Sequence, residues 1–205
     1  IRDIVQMELY LINHLNITAI QCVIGGSMGG MIALEFALID PRIKRAFLMA
    51  MGKAHTAWSI GLSHLQRKAI YQDTNWNGGW YSDEAPPSQG LSLARQIGMM
   101  TYRSPEDYEA KFSRDIRKIT EYPYYEVESY LDYQGEKLDK RFDALSYERL
   151  TRSMDTHDIS RGHGNFKEVA SLVTIPIHIV GIQSDALYPI AEQKELAQLL
   201  PCLLY

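Results

Sequence analysis

The chain has 205 residues, 46% of them apolar, and a formal net charge of −4. That balance belongs to an ordinary globular protein with one sizeable core, and it offers neither a basic field for nucleic acid nor a polybasic patch for a membrane. No apolar run approaches the ~20 residues of a membrane span, no charged-then-apolar leader opens the chain, and the two cysteines, Cys22 and Cys202, make no disulfide framework, which fits a cytoplasmic protein.

A helix is expected over 3–15, where Ile4, Met7, Leu11 and Leu15 recur at helical spacing. After the turn Asn16-Ile17-Thr18, the β-branched residues Ile20, Val23 and Ile24 read as a buried strand of a parallel sheet, with Cys22 as a small apolar filler. The strand runs into Gly25-Gly26-Ser27-Met28-Gly29 and then into a helical pattern through Ile32, Ala33, Phe36 and Ala37. G-x-S-x-G between a strand and a helix is the setting of a nucleophile elbow. Its serine sits on a turn too sharp for ordinary backbone angles, so the glycines around it are expected to be places where a Cβ would strike strand or helix. The Ser27 hydroxyl would stand clear of the sheet, and the Met28 amide would face a developing oxyanion. Two other readings of the stretch are a phosphate cradle and a purely structural turn. No lysine follows Gly30, however, and Gly25, Gly26, Gly29 and Gly30 do not give the order G-x-G-x-x-G. A catalytic serine is the better reading.

Asp40-Pro41-Arg42 breaks the helix, and Ala46 to Met51 forms the next buried strand, joined to the first by a right-handed crossover. A helix over 57–71 places Trp58, Leu62 and Leu65 on one side. Residues 76–90, rich in Gly, Pro and Trp, read as an ordered loop, and helices are expected over 91–101, 105–119, 124–134 and 144–153. Few runs between Tyr71 and Lys167 look like buried strands. The organisation expected is therefore a core of 1–71 and 168–205 carrying a helical cap over 72–167. The cap is rich in aromatics, among them Trp76, Trp80, Tyr81, Tyr102, Tyr108, Tyr124, Tyr125, Tyr130 and Tyr133; most of these are expected to pack the cap and a few to line a cleft. The sheet resumes over 175–182 and ends at Gln183-Ser184-Asp185, ahead of a helix over 192–200. The chain starts inside a helix and stops where another strand begins, as a piece of a longer protein would.

In open parallel sheets, function gathers beyond the carboxyl ends of the strands, where Ser27 and Asp185 both fall. In an α/β-hydrolase arrangement the order is Ser, then Asp or Glu, then His. Asp185 would orient the histidine that takes the proton from Ser27; its plain alternative is a turn or helix cap. All six histidines (His14, His55, His64, His157, His163 and His178) precede Asp185. His178 alternates within a strand. His157 and His163 sit in M-D-T-H-D-I-S-R-G-H-G, whose spacing matches no common zinc pattern, and no metal is expected. Either the catalytic histidine lies beyond Tyr205 or one of the six replaces it; the usual order favours the first.

With these residues in place, the chain resembles the homoserine O-acetyltransferase family of α/β-hydrolase-fold acyltransferases. The resemblance rests on V-I-G-G-S-M-G-G-M at 23–31, A-W-S-I at 57–60, Q-R-K-A-I at 66–70, G-L-S-L-A-R at 90–95 and T-Y-R-S at 101–104. It continues in F-S-R at 112–114, V-E-S-Y-L-D-Y-Q-G at 127–135, R-F-D-A-L-S-Y at 141–147, L-T-R-S-M-D-T-H-D at 150–158 and V-G-I-Q-S-D at 180–185. It implies a mainly parallel sheet flanked by helices, with an inserted helical cap. It also implies transfer of an acetyl group from acetyl-CoA, a co-substrate rather than a bound cofactor, to L-homoserine. Ser27 is the implied nucleophile, Asp185 the triad acid, Arg95 the substrate-binding arginine and Tyr102 the active-site tyrosine. The family's histidine, and the substrate-binding aspartate after it, would lie beyond Tyr205; the early strands would precede Ile1, so this stretch alone should be inactive. A homodimer through the cap is implied as well. Succinyl-CoA or serine as substrates, a serine esterase and a non-catalytic relative are the alternatives.

Overall fold

The computed structural model describes residues 1–200 and the backbone of 203–204; Pro201, Cys202 and Tyr205 lie outside the described residues. In chain order the elements are α1 (Arg2–His14), β1 (Val23–Gly26), α2 (Met28–Ile39), β2 (Ala46–Met49), α3 (Ala57–Gln72), α4 (Ser88–Met99) and α5 (Pro105–Phe112). There follow β3 (Ile116–Ile119), β4 (Pro123–Tyr125), α6 (Glu126–Asp139), α7 (Ala144–Asp155), α8 (Phe166–Ser171), β5 (Ile177–Val180), α9 (Ile190–Leu199) and β6 (Leu203–Leu204). Contacts divide the chain into two compact units. One comprises Ile1–His55, Thr156–Ser184 and Tyr188–Tyr205; the other comprises Thr56–Asp155 and Asp185–Leu187.

The first unit is built on a parallel sheet in the order β1-β2-β5-β6. Val23 pairs with Ala46, and Ala46 with Ile177, so apolar residues meet in register across three strands. β2, with a neighbour on each side, buries Ala46 and Leu48 completely. β1 lies at one edge of the described sheet, which leaves Ile24 68% exposed, against the expectation of a buried strand. Helix α1 turns Val5, Leu9 and Ile12 towards Phe36 and Ile43. Met7, Leu11 and Leu15, the face expected to be buried, are exposed. Arg2 of α1 pairs with the buried Glu35 of α2 at 2.9 Å.

The chain leaves this unit after His55 and returns at Thr156. The two passages are fastened together by an antiparallel bridge between Ala54 and Asp158. His55 N donates to His157 O at 2.8 Å and Ile159 N to Lys53 O at 3.2 Å.

The second unit packs α3, α4, α6 and α7 around Ile70, Leu91, Ala94, Leu138 and Ala144. Helix α3, which the sequence reading gave to the core, packs here on α4 and α7. It buries Ser59, Ser63, Arg67 and Ile70 and leaves Trp58 and Leu65 exposed, the reverse of the expected apolar side. The polar face is inside because it is partnered there: the Ser59 hydroxyl donates to Leu187 O at 3.0 Å, and Arg67 pairs with Asp155 at 2.6 Å. The helix expected over 105–119 ends at Phe112, where Ser113 takes φ 43°. Residues 116–119 form β3 instead, paired antiparallel with β4 through Ile116–Tyr125, Lys118–Tyr124 and Ile119–Pro123.

Candidate active site

β1 delivers the chain to Ser27, where it reverses direction into α2. Ser27 holds φ 52° and ψ −122°, a region that L residues rarely adopt. Its amide donates to Met49 O of the neighbouring strand at 2.8 Å, and its carbonyl accepts from Gly30 N at 2.9 Å and Met31 N at 3.1 Å. The backbone of the turn is thus fixed on both sides. Ser27 stands at the position that precedes the first turn of α2, where a serine ordinarily caps the helix, yet its side chain makes no capping bond. The hydroxyl is left for other work.

The glycines explain how so sharp a reversal closes. A Cβ at Gly25 would fall 2.0 Å from Gly29 O, and one at Gly30 would fall 2.8 Å from Met51 Cγ. Position 25 admits only glycine, because the clash is with backbone; at position 30 the Met51 side chain would have to shift. Gly29 differs from the expectation: a Cβ there would meet nothing within 4 Å. Met28 is the first residue of α2, so its amide belongs to the turn whose N–H groups have no intrahelical acceptor. That amide and the positive end of the helix are suited to an oxyanion formed on an acyl group at Ser27.

Asp185 follows β5 and is half-buried, its Oδ1 accepting from Leu187 N at 2.9 Å. The turn role weighed for it in the sequence is therefore realised; the bond also holds its carboxylate in one orientation. Arg95, on α4, lies with its guanidinium carbon 4.8 Å from the ring centroid of Tyr102, one cation–π pair worth ~0.5–1 kcal/mol at an exposed site. The structure thus brings Ser27 together with Met28 in the sheet unit, and Arg95 together with Tyr102 in the helical unit, to which Asp185 also belongs.

The histidines divide clearly. His178 is half-buried in β5 and stacks on Phe47 with centroids 4.9 Å apart. His163 is exposed. His157, expected in a loop near the cleft, is buried at 2% exposure, with Nε2 3.0 Å from Gly52 O. A carbonyl can only accept, so Nε2 carries the proton. Burial pulls the His157 pKa down to about 4, only partly offset by the bond to Gly52, and the ring is neutral at physiological pH.

Two residues that sequence reasoning did not single out stand beside Arg95 and Tyr102. Tyr147 of α7 donates its hydroxyl proton to Gln66 Oε1 of α3, and burial raises the Tyr147 pKa, with Tyr102 raising it further and Arg95 opposing. Both fall within motifs already noted, Q-R-K-A-I and R-F-D-A-L-S-Y, but nothing in their spacing shows that they meet. Among the described residues, no group of three or more His, Cys, Asp or Glu is placed to hold a metal, and no helix is long and apolar enough to cross a membrane.

The whole chain, residues 1–205, matches the model of the alpha/beta hydrolase fold family. A homoserine O-acetyltransferase from Chlorobium chlorochromatii is 47% identical over 203 residues, covering 98% of this chain and 57% of that protein. One from Chloroherpeton thalassium is 48% identical over 203 residues, covering 98% and 53%. The chain spans about half the length of the curated relatives it matches. Among solved structures, homoserine O-acetyltransferase from Bacillus anthracis superposes with a TM-score of 0.88 at 24% identity, covering 96% of this chain and 54% of that one. Esterase E22 superposes with a TM-score of 0.85 at 23% identity, covering 97% and 56%. Likenesses this distant in sequence carry the fold alone.

Proposed function

The chain belongs to the alpha/beta hydrolase fold family, and from that premise we propose that the intact protein moves an acetyl group from acetyl-CoA to the hydroxyl of L-homoserine. The observation that carries the chemical half of this reading is Ser27, a serine in a rare backbone conformation at the head of α2 whose side chain is not used as a cap. The names of relatives 47% and 48% identical, both homoserine O-acetyltransferases, support acetyl as the group carried and homoserine as its acceptor.

The reaction is two acyl transfers through one serine. Ser27 Oγ attacks the thioester carbonyl while its proton passes to a base, the histidine expected beyond Tyr205 and oriented by Asp185. The Met28 amide stabilises the oxyanion, the C–S bond breaks, and the CoA thiol leaves with the proton. The homoserine hydroxyl, deprotonated by the same base, then attacks the acetyl-serine, releasing O-acetyl-L-homoserine and restoring the Ser27 hydroxyl. Arg95 would pair through its planar fork with the amino-acid carboxylate, a contact that lysine does not copy, with Tyr102 beside it. Water is the competing acceptor. The helical unit would serve to orient homoserine and exclude water, raising the effective concentration of the alcohol. The family resemblance supports a cytoplasmic homodimer that meets through this unit.

Mixing the intact protein with acetyl-CoA should add one acetyl group to Ser27, visible by mass spectrometry, and Ser27→Ala should remove that species. Arg95→Lys should preserve acetylation of Ser27 while raising the KM for L-homoserine by roughly tenfold or more. Persistence of the acetylated species in Ser27→Ala, or equal loss of both half-reactions in Arg95→Lys, would count against these roles.

A further inference from the structure

Arg95 and Gly98 stand three residues apart on one side of α4, and Tyr102, in the turn after the helix, brings its ring to the Arg95 guanidinium. Gly98 sits about 4.5 Å along the axis from Arg95. A Cβ at Gly98 would lie 3.3 Å from Gln66 Oε1 and 3.4 Å from Tyr147 Oη. The polar ends of Gln66 and Tyr147 therefore meet directly over the helix, one turn from the arginine, in space that a larger residue would crowd.

The hydrogen bonds there fix which group donates. Gln66 Nε2 donates to Leu62 O at 3.2 Å, which settles the amide orientation and leaves Oε1 as an acceptor facing Tyr147. Tyr147 has one hydroxyl proton, and it is committed to Gln66. Burial holds the phenol neutral. What Tyr147 offers the surroundings of Arg95 is lone pairs alone. Such an oxygen repels a carboxylate and accepts from an N–H.

We propose that Tyr147 is a specificity-determining residue that accepts a hydrogen bond from the α-ammonium of the amino acid whose carboxylate Arg95 holds. The proposal rests on the reading of Arg95 given above. It makes the site select α-amino acids over acids that carry the same hydroxyl without the amine. An ammonium has three donors, so one bond to Tyr147 leaves two for other partners. Gln66 is the positioning residue: it removes the tyrosine's proton from the reckoning and so sets its polarity.

The test uses the intact protein with two acceptors, L-homoserine and its deamino analogue 4-hydroxybutanoate. Tyr147→Phe keeps the ring that packs edge-on against Phe142 at 6.2 Å and loses only the oxygen. It should lower kcat/KM for L-homoserine about 10- to 100-fold, mainly through KM, and leave 4-hydroxybutanoate unchanged. Gln66→Leu frees the proton and should narrow the preference for L-homoserine in the same direction, which keeps the proposal testable if one variant folds poorly. Acetylation of Ser27 by acetyl-CoA alone is read in both variants, and a loss there equal to the loss with L-homoserine would overturn a role confined to the acceptor. Equal losses for the two acceptors, or none for either, would overturn the role of Tyr147. Arg95→Lys separates the parent reading: if it weakens both acceptors while Tyr147→Phe shows no selectivity, Arg95 stands and Tyr147 falls. If Arg95→Lys leaves both acceptors unchanged, both assignments fail.

Discussion

Gly25 and Gly29 bracket Ser27 symmetrically in the motif, yet they face different surroundings. A methyl group at Gly25 has to displace the backbone of Gly29 and Gly30, the latter at 2.6 Å, and backbone on both sides of the turn has nowhere to go. Gly25→Ala is expected to cost ~3 kcal/mol or to prevent folding. Gly29→Ala adds a methyl to open space inside a helix, where alanine is favoured over glycine by ~1 kcal/mol. Urea midpoints of the two variants measure the difference; equal midpoints would mean that the turn is not as tight as Ser27 φ 52° makes it. The motif was legible as a string of letters. The distinction between its glycines was not, because it depends on where α2 comes back against β1.

Helix α3 makes the corresponding point for an element. Arg67 is 6% exposed and ion-paired with Asp155, whereas Leu65, two residues away, is 54% exposed. Arg67→Ala removes one partner of a buried pair and should cost ~3 kcal/mol, while Leu65→Ala should cost less than ~1. Denaturant unfolding of the intact protein decides it, and a larger loss from Leu65→Ala would restore the apolar side read from the sequence. Periodicity located this helix to within a residue of its observed end, because strong spacing marks where a helix lies; for α4 it began three residues late and ran two past Met99. It misjudged the buried face of α1 and α3, since partners far along the chain decide burial: Phe36 and Ile43 for α1, Asp155 and Leu187 for α3. The stretch 116–119 misled for a related reason. Ile116 and Ile119 stand at helical spacing, but α5 has already ended at Ser113, whose positive φ leaves no mark in the sequence. The strand-to-helix turn at Ser27 and Met28 was readable from local context. Tyr147 and Gln66 meet only because three helices converge.

Across the whole molecule, the sheet unit depends on the strap that ties Lys53–His55 to His157–Ile159. His157 is buried within it, against Gly52 O, with His55 and Asp158 as its charged or titratable neighbours. Its folded pKa of about 4 lies below the ordinary 6.5, so between those values the unfolded chain holds the extra proton. Stability from this group is complete above about pH 6.5 and is lost as pH falls towards 4, by ~3 kcal/mol in all. His157→Gln keeps an N–H for Gly52 O and does not titrate, so its urea midpoint should fall less than that of the unsubstituted protein between pH 7 and pH 4.5. Parallel falls would remove His157 as the cause.

A serine that carries an acetyl group is common to transferases and esterases, and the two differ in who takes the group away. The direct measurement is the lifetime of acetylated Ser27 in the intact protein, with and without millimolar L-homoserine. The account predicts slow loss to water alone and loss at least ~100-fold faster with L-homoserine, with O-acetyl-L-homoserine formed in equal amount. Loss at the same rate in both solutions, with free acetate as the product, would contradict it and leave a hydrolase.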